Sequence, residues 1–240
     1  MIRALAAALL AAVALVAGPP APAATPAKHT GNTCCSPTPH LTPTAHTLRI
    51  LALGDSITLG NGSSTGAGYR SPLRALLGDH AIHIGPDGTR PLRHAGRSGW
   101  CIHQWTPLAR DLAAAYAPNV VLVHLGTNDA GRDHNEPAHQ MLNETRQLID
   151  ALRAGRPNVP IVLAAPTITT INTPAQQQAL NTFDDQLAAL AATYSRVWTV
   201  DMRSTPANPL PLGDGVHPDN AGYAAMAQRW YEALRKAGLV

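Results

Sequence analysis

Lysine is nearly missing from this 240-residue chain, where Lys28 and Lys236 are the only two. The other basic residues are arginines, scattered without a run, and the formal net charge is +3. A nucleic-acid partner calls for a basic stripe or cluster, so none is expected. Aromatic residues are scarce, at 4 % of the chain with a single phenylalanine, which leaves little material for a lipid-facing surface. The three cysteines, Cys34, Cys35 and Cys101, do not have the spacing of a metal site. No metal or cofactor is expected. Long apolar runs are missing too, apart from 4–17. That run follows Arg3, is broken by Gly18-Pro19-Pro20, and is trailed by the small-x-small pattern Ala21-Pro22-Ala23. It is too short to cross a bilayer. It reads as a secretory signal peptide occupying 1–24, giving a secreted protein without a membrane anchor. Export favours oxidation. A bond from Cys101 to Cys34 or Cys35, or between those two neighbours, is open, and the pairing cannot be read from the sequence.

Residues 25–47 are rich in Pro, Thr, Ala and His and lack periodicity, as expected of a linker or extension. The remaining 48–240 is a normal size for one domain, expected to be a monomer. Strands are expected at 48–54, 81–85, 119–126, 159–165 and 196–201. Helices are expected at 69–77, 107–116 (closed by Pro118), around 139–154, behind the capping box Thr173-Pro174-Ala175-Gln176, and from Pro218 onward. Val120-Val121-Leu122-Val123 is continuously apolar, as in a strand buried on both faces. Five alternations of strand and helix predict an α/β fold. It is a three-layer α/β/α sandwich on a five-stranded parallel sheet with right-handed crossovers.

The first predicted strand ends abruptly at Gly54 and delivers Asp55-Ser56 to the sheet's carboxyl edge, where open α/β sheets carry their sites. Three more polar clusters fall on that edge: His94-Ala95-Gly96-Arg97-Ser98-Gly99-Trp100, Gly126-Thr127-Asn128-Asp129 and Asp214-Gly215-Val216-His217-Pro218. Each alone is explained by turns and helix caps. Four on one edge point to a site. A serine hydroxyl is a weak nucleophile and needs a base beside it. Ser56 is the candidate nucleophile and His217 the candidate base. Asp214 can fold back onto the second ring nitrogen and fix the tautomer. An oxyanion needs preorganised donors, for which the Ser56 N–H, the Gly96 N–H and the Asn128 amide are the candidates, with Gly99 a rival for Gly96. Trp100 and Tyr69 are candidate substrate-binding residues, by stacking on a sugar ring and by lining the pocket. Core packing or a helix start explains them as well. His124 is expected to be a buried, hydrogen-bonded strand histidine.

These blocks resemble those of the SGNH (GDSL-type) hydrolase superfamily. Ser56, Gly96, Asn128 and His217 match its four namesake residues in order, and Asp214 matches the acid of its Asp-x-x-His pattern. The resemblance implies a flavodoxin-like sandwich and a serine esterase or lipase mechanism without metal. Leu53-Gly54-Asp55-Ser56-Ile57-Thr58 with Gly68-Tyr69-Arg70, His94 to Trp100, and His124 to Asp129 together resemble carbohydrate esterase family 3, the secreted acetylxylan esterases. That narrower likeness implies an acylated carbohydrate or small ester as substrate. In this chain Ala95 precedes the glycine where an acidic residue is expected in that family.

Overall fold

The structure is a computed structural model and describes residues 47–131, 134–167 and 169–240. The expected signal peptide, nearly all of the 25–47 extension, and Cys34 and Cys35 lie outside the described residues.

Strand β1 (Leu48–Gly54) runs into a one-turn helix α1 (Ser56–Leu59), and helix α2 (Arg70–Leu77) follows a glycine-rich loop. After β2 (Ala81–Ile84) and the two-residue β3 (Ala95–Gly96) come α3 (Ile102–Tyr116), β4 (Val120–His124), α4 (Ala138–Gly155), β5 (Ile161–Ala165), α5 (Pro174–Ala192), β6 (Val197–Asp201) and α6 (Asn220–Lys236). The main sheet has the order β2-β1-β4-β5-β6, and every pairing is parallel. β1 gives one edge to two partners: β2 pairs with its first half at Leu48 to Leu51, and β3 pairs with Leu53 and Gly54. The expected five-stranded sheet therefore carries a sixth short strand inside what the sequence reads as a polar loop.

Alternation along the strands builds two cores. Leu51, Leu53, Val121, Val123, Ile161 and Leu163 face one way, onto Trp105 of α3, Met141 and Leu148 of α4, and Phe183 of α5. Ile50, Ala52, Val120, Leu122, Val162 and Ala164 face the other, onto Leu73 of α2 and Met226 and Trp230 of α6. This is the three-layer sandwich. Strand order reverses between β1 and β4, so the crevice at their carboxyl ends is the topological switch point, the usual ligand position in an open α/β sheet.

Helix α3 starts at Ile102 and not near Pro107. Cys101 and Gln104 cap its first turn reciprocally, and Pro107 is tolerated inside. The Thr173/Gln176 capping box of α5 forms as expected. The last helix is capped by Asp219, whose side chain accepts from the Gly222 N–H, so it opens just after Pro218.

Candidate active site

Gly54 is held in a narrow space. A Cβ there would lie 2.3 Å from Thr58 Oγ1 and 2.4 Å from the His124 carbonyl, so only glycine lets α1 turn back against β4. Its own carbonyl accepts from Trp105 Nε1 (3.0 Å) and from the Arg97 N–H (3.1 Å). Asp55 then caps α1, accepting from the Ile57 N–H at 2.9 Å. Ser56 is thus fixed at the first helical position, 6 % exposed, with its N–H free of any acceptor along the helix. Arg70 holds the turn from below: its guanidinium donates to the carbonyls of Thr58, Leu59, Gly66 and Leu92. Its side chain is a clamp on the serine turn, a task the sequence did not reveal.

His217 arrives from the opposite side on the loop before α6. Its Nε2 lies 2.9 Å from Ser56 Oγ, and its Nδ1 lies 2.7 Å from Asp214 Oδ2. Asp214 Oδ1 accepts from the backbone N–H groups of Val216 (3.0 Å) and His217 (2.8 Å), so the acid and the imidazole are locked in one tight turn. The bond to the His217 ring, then the bond to the His217 backbone, hold the Asp214 carboxyl down to about 2. Gly62 makes room for this loop, since a Cβ on it would sit 2.6 Å from the Pro218 carbonyl and 3.0 Å from His217 Cβ. Tyr223 Oη donates to the Asn61 carbonyl at 2.6 Å, and the Ser64 N–H donates to Asn220 Oδ1 at 3.0 Å. These contacts tie the serine and histidine loops together.

Asn128 stands at the end of the third block, its Nδ2 donating to the Trp100 carbonyl at 3.0 Å and lying 3.5 Å from Asp55 Oδ2. Asp55 is fully buried, and desolvation pushes its carboxyl up to about 7 against the opposing pull of the Ile57 N–H and His217. Next to Asn128, Asp129 accepts from the Ile102 N–H at 2.8 Å, and burial pushes it up to about 7 as well.

Three expectations change. The Gly96 N–H donates to His94 Nδ1 at 3.0 Å, so this donor is spent inside its own turn. What position 96 requires is the lack of a side chain, because a Cβ would lie 2.6 Å from the Leu59 N. Gly99 does not crowd any atom and lines the cleft instead. Tyr69 is fully buried, packed on Trp230 at 5.8 Å and paired with Thr58 Oγ1 at 3.1 Å; it is core, out of a substrate's reach. Trp100 is half-buried, with Trp105 at 4.7 Å and the Arg97 guanidinium 4.5 Å over its ring, so the face a sugar would stack on is taken. Its carbonyl, holding Asn128, is its contribution to the site.

His124 is buried as expected, but neither ring nitrogen has a hydrogen-bond partner among the described residues. Burial pushes it down to about 4, which keeps it neutral. Cys101 is buried and has no disulfide partner among the described residues. A cleft of about 290 Å³ opens beside Asn128, lined by Thr127, His134, Thr169, Asn172 and Ile171, and closed by Val216 next to His217.

An α/β sandwich with serine, histidine and carboxylate in line at its switch point defines a class of hydrolase-like folds. Residues 52–225 match the model of the GDSL-like lipase/acylhydrolase family, and the chain belongs to that family. It is 28 % identical to a multidomain esterase of Ruminococcus flavefaciens, over 82 % of this chain but 29 % of that protein, so it spans about three-tenths of that relative's length. Among solved structures it is similar to a carbohydrate esterase family 3 protein from Talaromyces cellulolyticus. There the TM-score is 0.67 at 18 % identity, covering 80 % of this chain and 99 % of the other. It is also similar to a Clostridium thermocellum family 3 carbohydrate esterase, with TM-score 0.62 at 25 % identity, covering 79 % and 96 %.

Proposed function

We propose that the protein is a secreted serine esterase that removes short acyl groups, acetyl foremost, from a polysaccharide such as xylan. The observation that carries this reading is the line Ser56 Oγ–His217 Nε2–His217 Nδ1–Asp214 Oδ2, at 2.9 and 2.7 Å. Ser56 Oγ attacks the ester carbonyl carbon as its proton passes to His217 Nε2. Asp214 accepts from Nδ1–H and stabilises the imidazolium. The oxyanion lies between the Ser56 N–H and the Asn128 amide, which keeps one hydrogen on the Trp100 carbonyl and turns the other from its long 3.5 Å contact with Asp55 Oδ2 to the oxyanion. Collapse sends the proton from His217 to the leaving sugar hydroxyl. Water, deprotonated by His217, then attacks the acyl-serine and releases the acid.

The short acyl group is supported by the cleft, which sets the polar side chains of Thr127, Asn128, His134, Thr169 and Asn172 among its lining. Among the described residues the exposed large apolar side chains are Leu76, Leu108, Ile171 and Val240, and only Ile171 borders the cleft. A lipid-acting enzyme calls for a wider apolar patch. The carbohydrate is supported by the family 3 esterases among the structural relatives, and secretion by the charged start, apolar run and cleavage pattern of residues 1–24.

Hydrolysis of p-nitrophenyl acetate, butyrate and octanoate, with Ser56→Ala beside the wild type, tests this. Preference for acetate that is lost in Ser56→Ala is expected, followed by acetate release from acetylated xylan. Preference for octanoate would overturn the short-acyl reading. Activity surviving Ser56→Ala would overturn the mechanism.

A further inference from the structure

Away from the serine, three buried acids meet. His103 on the first turn of α3, Asp129 after β4, Glu136 ahead of α4 and Glu144 within α4 each bring one donor atom to a common point, all within 4.8 Å of one another. His103 Nδ1 lies 3.6 Å from Glu136 Oε1 and 3.7 Å from Glu144 Oε2. Asp129 is fully buried, and Glu136 and Glu144 are more than nine-tenths buried. Asp129 Oδ2, Glu136 Oε2 and Glu144 Oε2 are buried without a hydrogen-bond partner among the described residues. The second oxygens of Asp129 and Glu144 are already used, by the Ile102 N–H and by Gln140 Nε2. No lysine or arginine among the described residues forms an ion pair with any of the three. Carboxylates sequestered together with unsatisfied lone pairs are costly unless a positive charge sits among them.

We propose that these four side chains form a binding site for a divalent transition cation, Zn²⁺ or Mn²⁺, with one nitrogen and three carboxylate oxygens. Imidazole suits zinc and carboxylates suit manganese, whereas Ca²⁺ favours an all-oxygen shell. Cys101 Sγ groups with the His103 and Asp129 donors, adding a soft ligand at the border. The cation's role is structural. It joins the start of α3, the loop carrying Asn128 and the start of α4, a loop already closed by the Glu136 N–H on the Asp129 carbonyl at 2.8 Å. It takes no part in acyl transfer, so the proposal stands apart from the serine mechanism.

The test uses the full protein stripped with a chelator and desalted. Zn²⁺, Mn²⁺ and Ca²⁺ are titrated separately, bound metal is counted by mass spectrometry, and melting is followed. One Zn²⁺ or Mn²⁺ per chain and a melting rise of several degrees are expected, with Ca²⁺ at least about tenfold weaker. Glu144→Gln and His103→Gln each weaken binding about tenfold or more, while the control His80→Gln binds as the wild type does. His103 is half-exposed, so its replacement leaves the fold intact. No stoichiometric uptake, a preference for Ca²⁺, or wild-type affinity in His103→Gln would each overturn the site.

Discussion

Two carboxylates flank the same serine and histidine in opposite surroundings. Asp55 is sealed under the serine turn, capping α1, and burial pushes it up to about 7. Asp214 has 58 % of its side chain exposed, yet its bonds to His217 hold it at about 2. The buried acid supplies a cap whose charge the fold resists. The exposed one supplies a dependable charge against the His217 ring. Hydrogen bonding has outweighed solvent access in setting which acid is ionised.

Replacing each acid by its amide should break that comparison. Asp214→Asn removes the charge from the exposed partner and is expected to lower kcat by about 10³–10⁴-fold, because the imidazole loses its tautomer control. Asn128→Ala removes an oxyanion donor and should lower kcat by about 10²–10³-fold, roughly 2.7–4 kcal/mol, with KM little changed. Asp55→Asn keeps an oxygen for the Ile57 N–H and loses a disfavoured charge and the long 3.5 Å contact to Asn128 Nδ2, so kcat should stay within about tenfold of wild type. Steady-state kinetics on one acetyl ester ranks the three, and an Asp55→Asn loss as large as that of Asp214→Asn would reverse the assignment.

The smallest effect sharpens the rule on stability alone. Asp184, on the buried face of α5, has both carboxylate oxygens without a hydrogen-bond partner among the described residues, and desolvation pushes it from 3.8 to about 8. Between those values the unfolded chain has released this proton and the folded chain keeps it. Its contribution to stability therefore falls as pH rises, and the penalty is complete above about 8. Asp184→Asn should match wild type near pH 4 and exceed it near pH 8 by a few degrees in melting temperature, as a gain of order 1–2 kcal/mol implies. Thermal melts across that range check the slope.

The sequence made the site legible where chemistry is packed into short stretches. Ser56 and Asn128 lie just past strand ends that local patterning predicts, the Asp214/His217 pair lies in the loop after the last strand, and the fold brings them together. What stayed hidden depends on distant partners. Tyr69 reads as a pocket residue beside Gly68, but Trp230 of α6 closes over it. Gly96 reads as a donor, but His94, two residues back, takes its hydrogen. β3 exists because the end of β1 has a free edge, which no pattern in 95–96 announces. Helix α3 begins early because a Cys101/Gln104 cap does not match the Ser/Thr signature that marks helix starts. His103, Asp129, Glu136 and Glu144 come from three elements with irregular spacing, so a cluster of metal-binding chemistry cannot be seen where no metal was expected.

The central claim is that Ser56 is a nucleophile made reactive by His217. Mass spectrometry of the protein after exposure to a fluorophosphonate tests it most directly. The account predicts one phosphonyl adduct per chain, on the peptide that carries Ser56, at a rate that collapses in His217→Ala. Labelling on another residue, or labelling of Ser56 at an unchanged rate in His217→Ala, would contradict it.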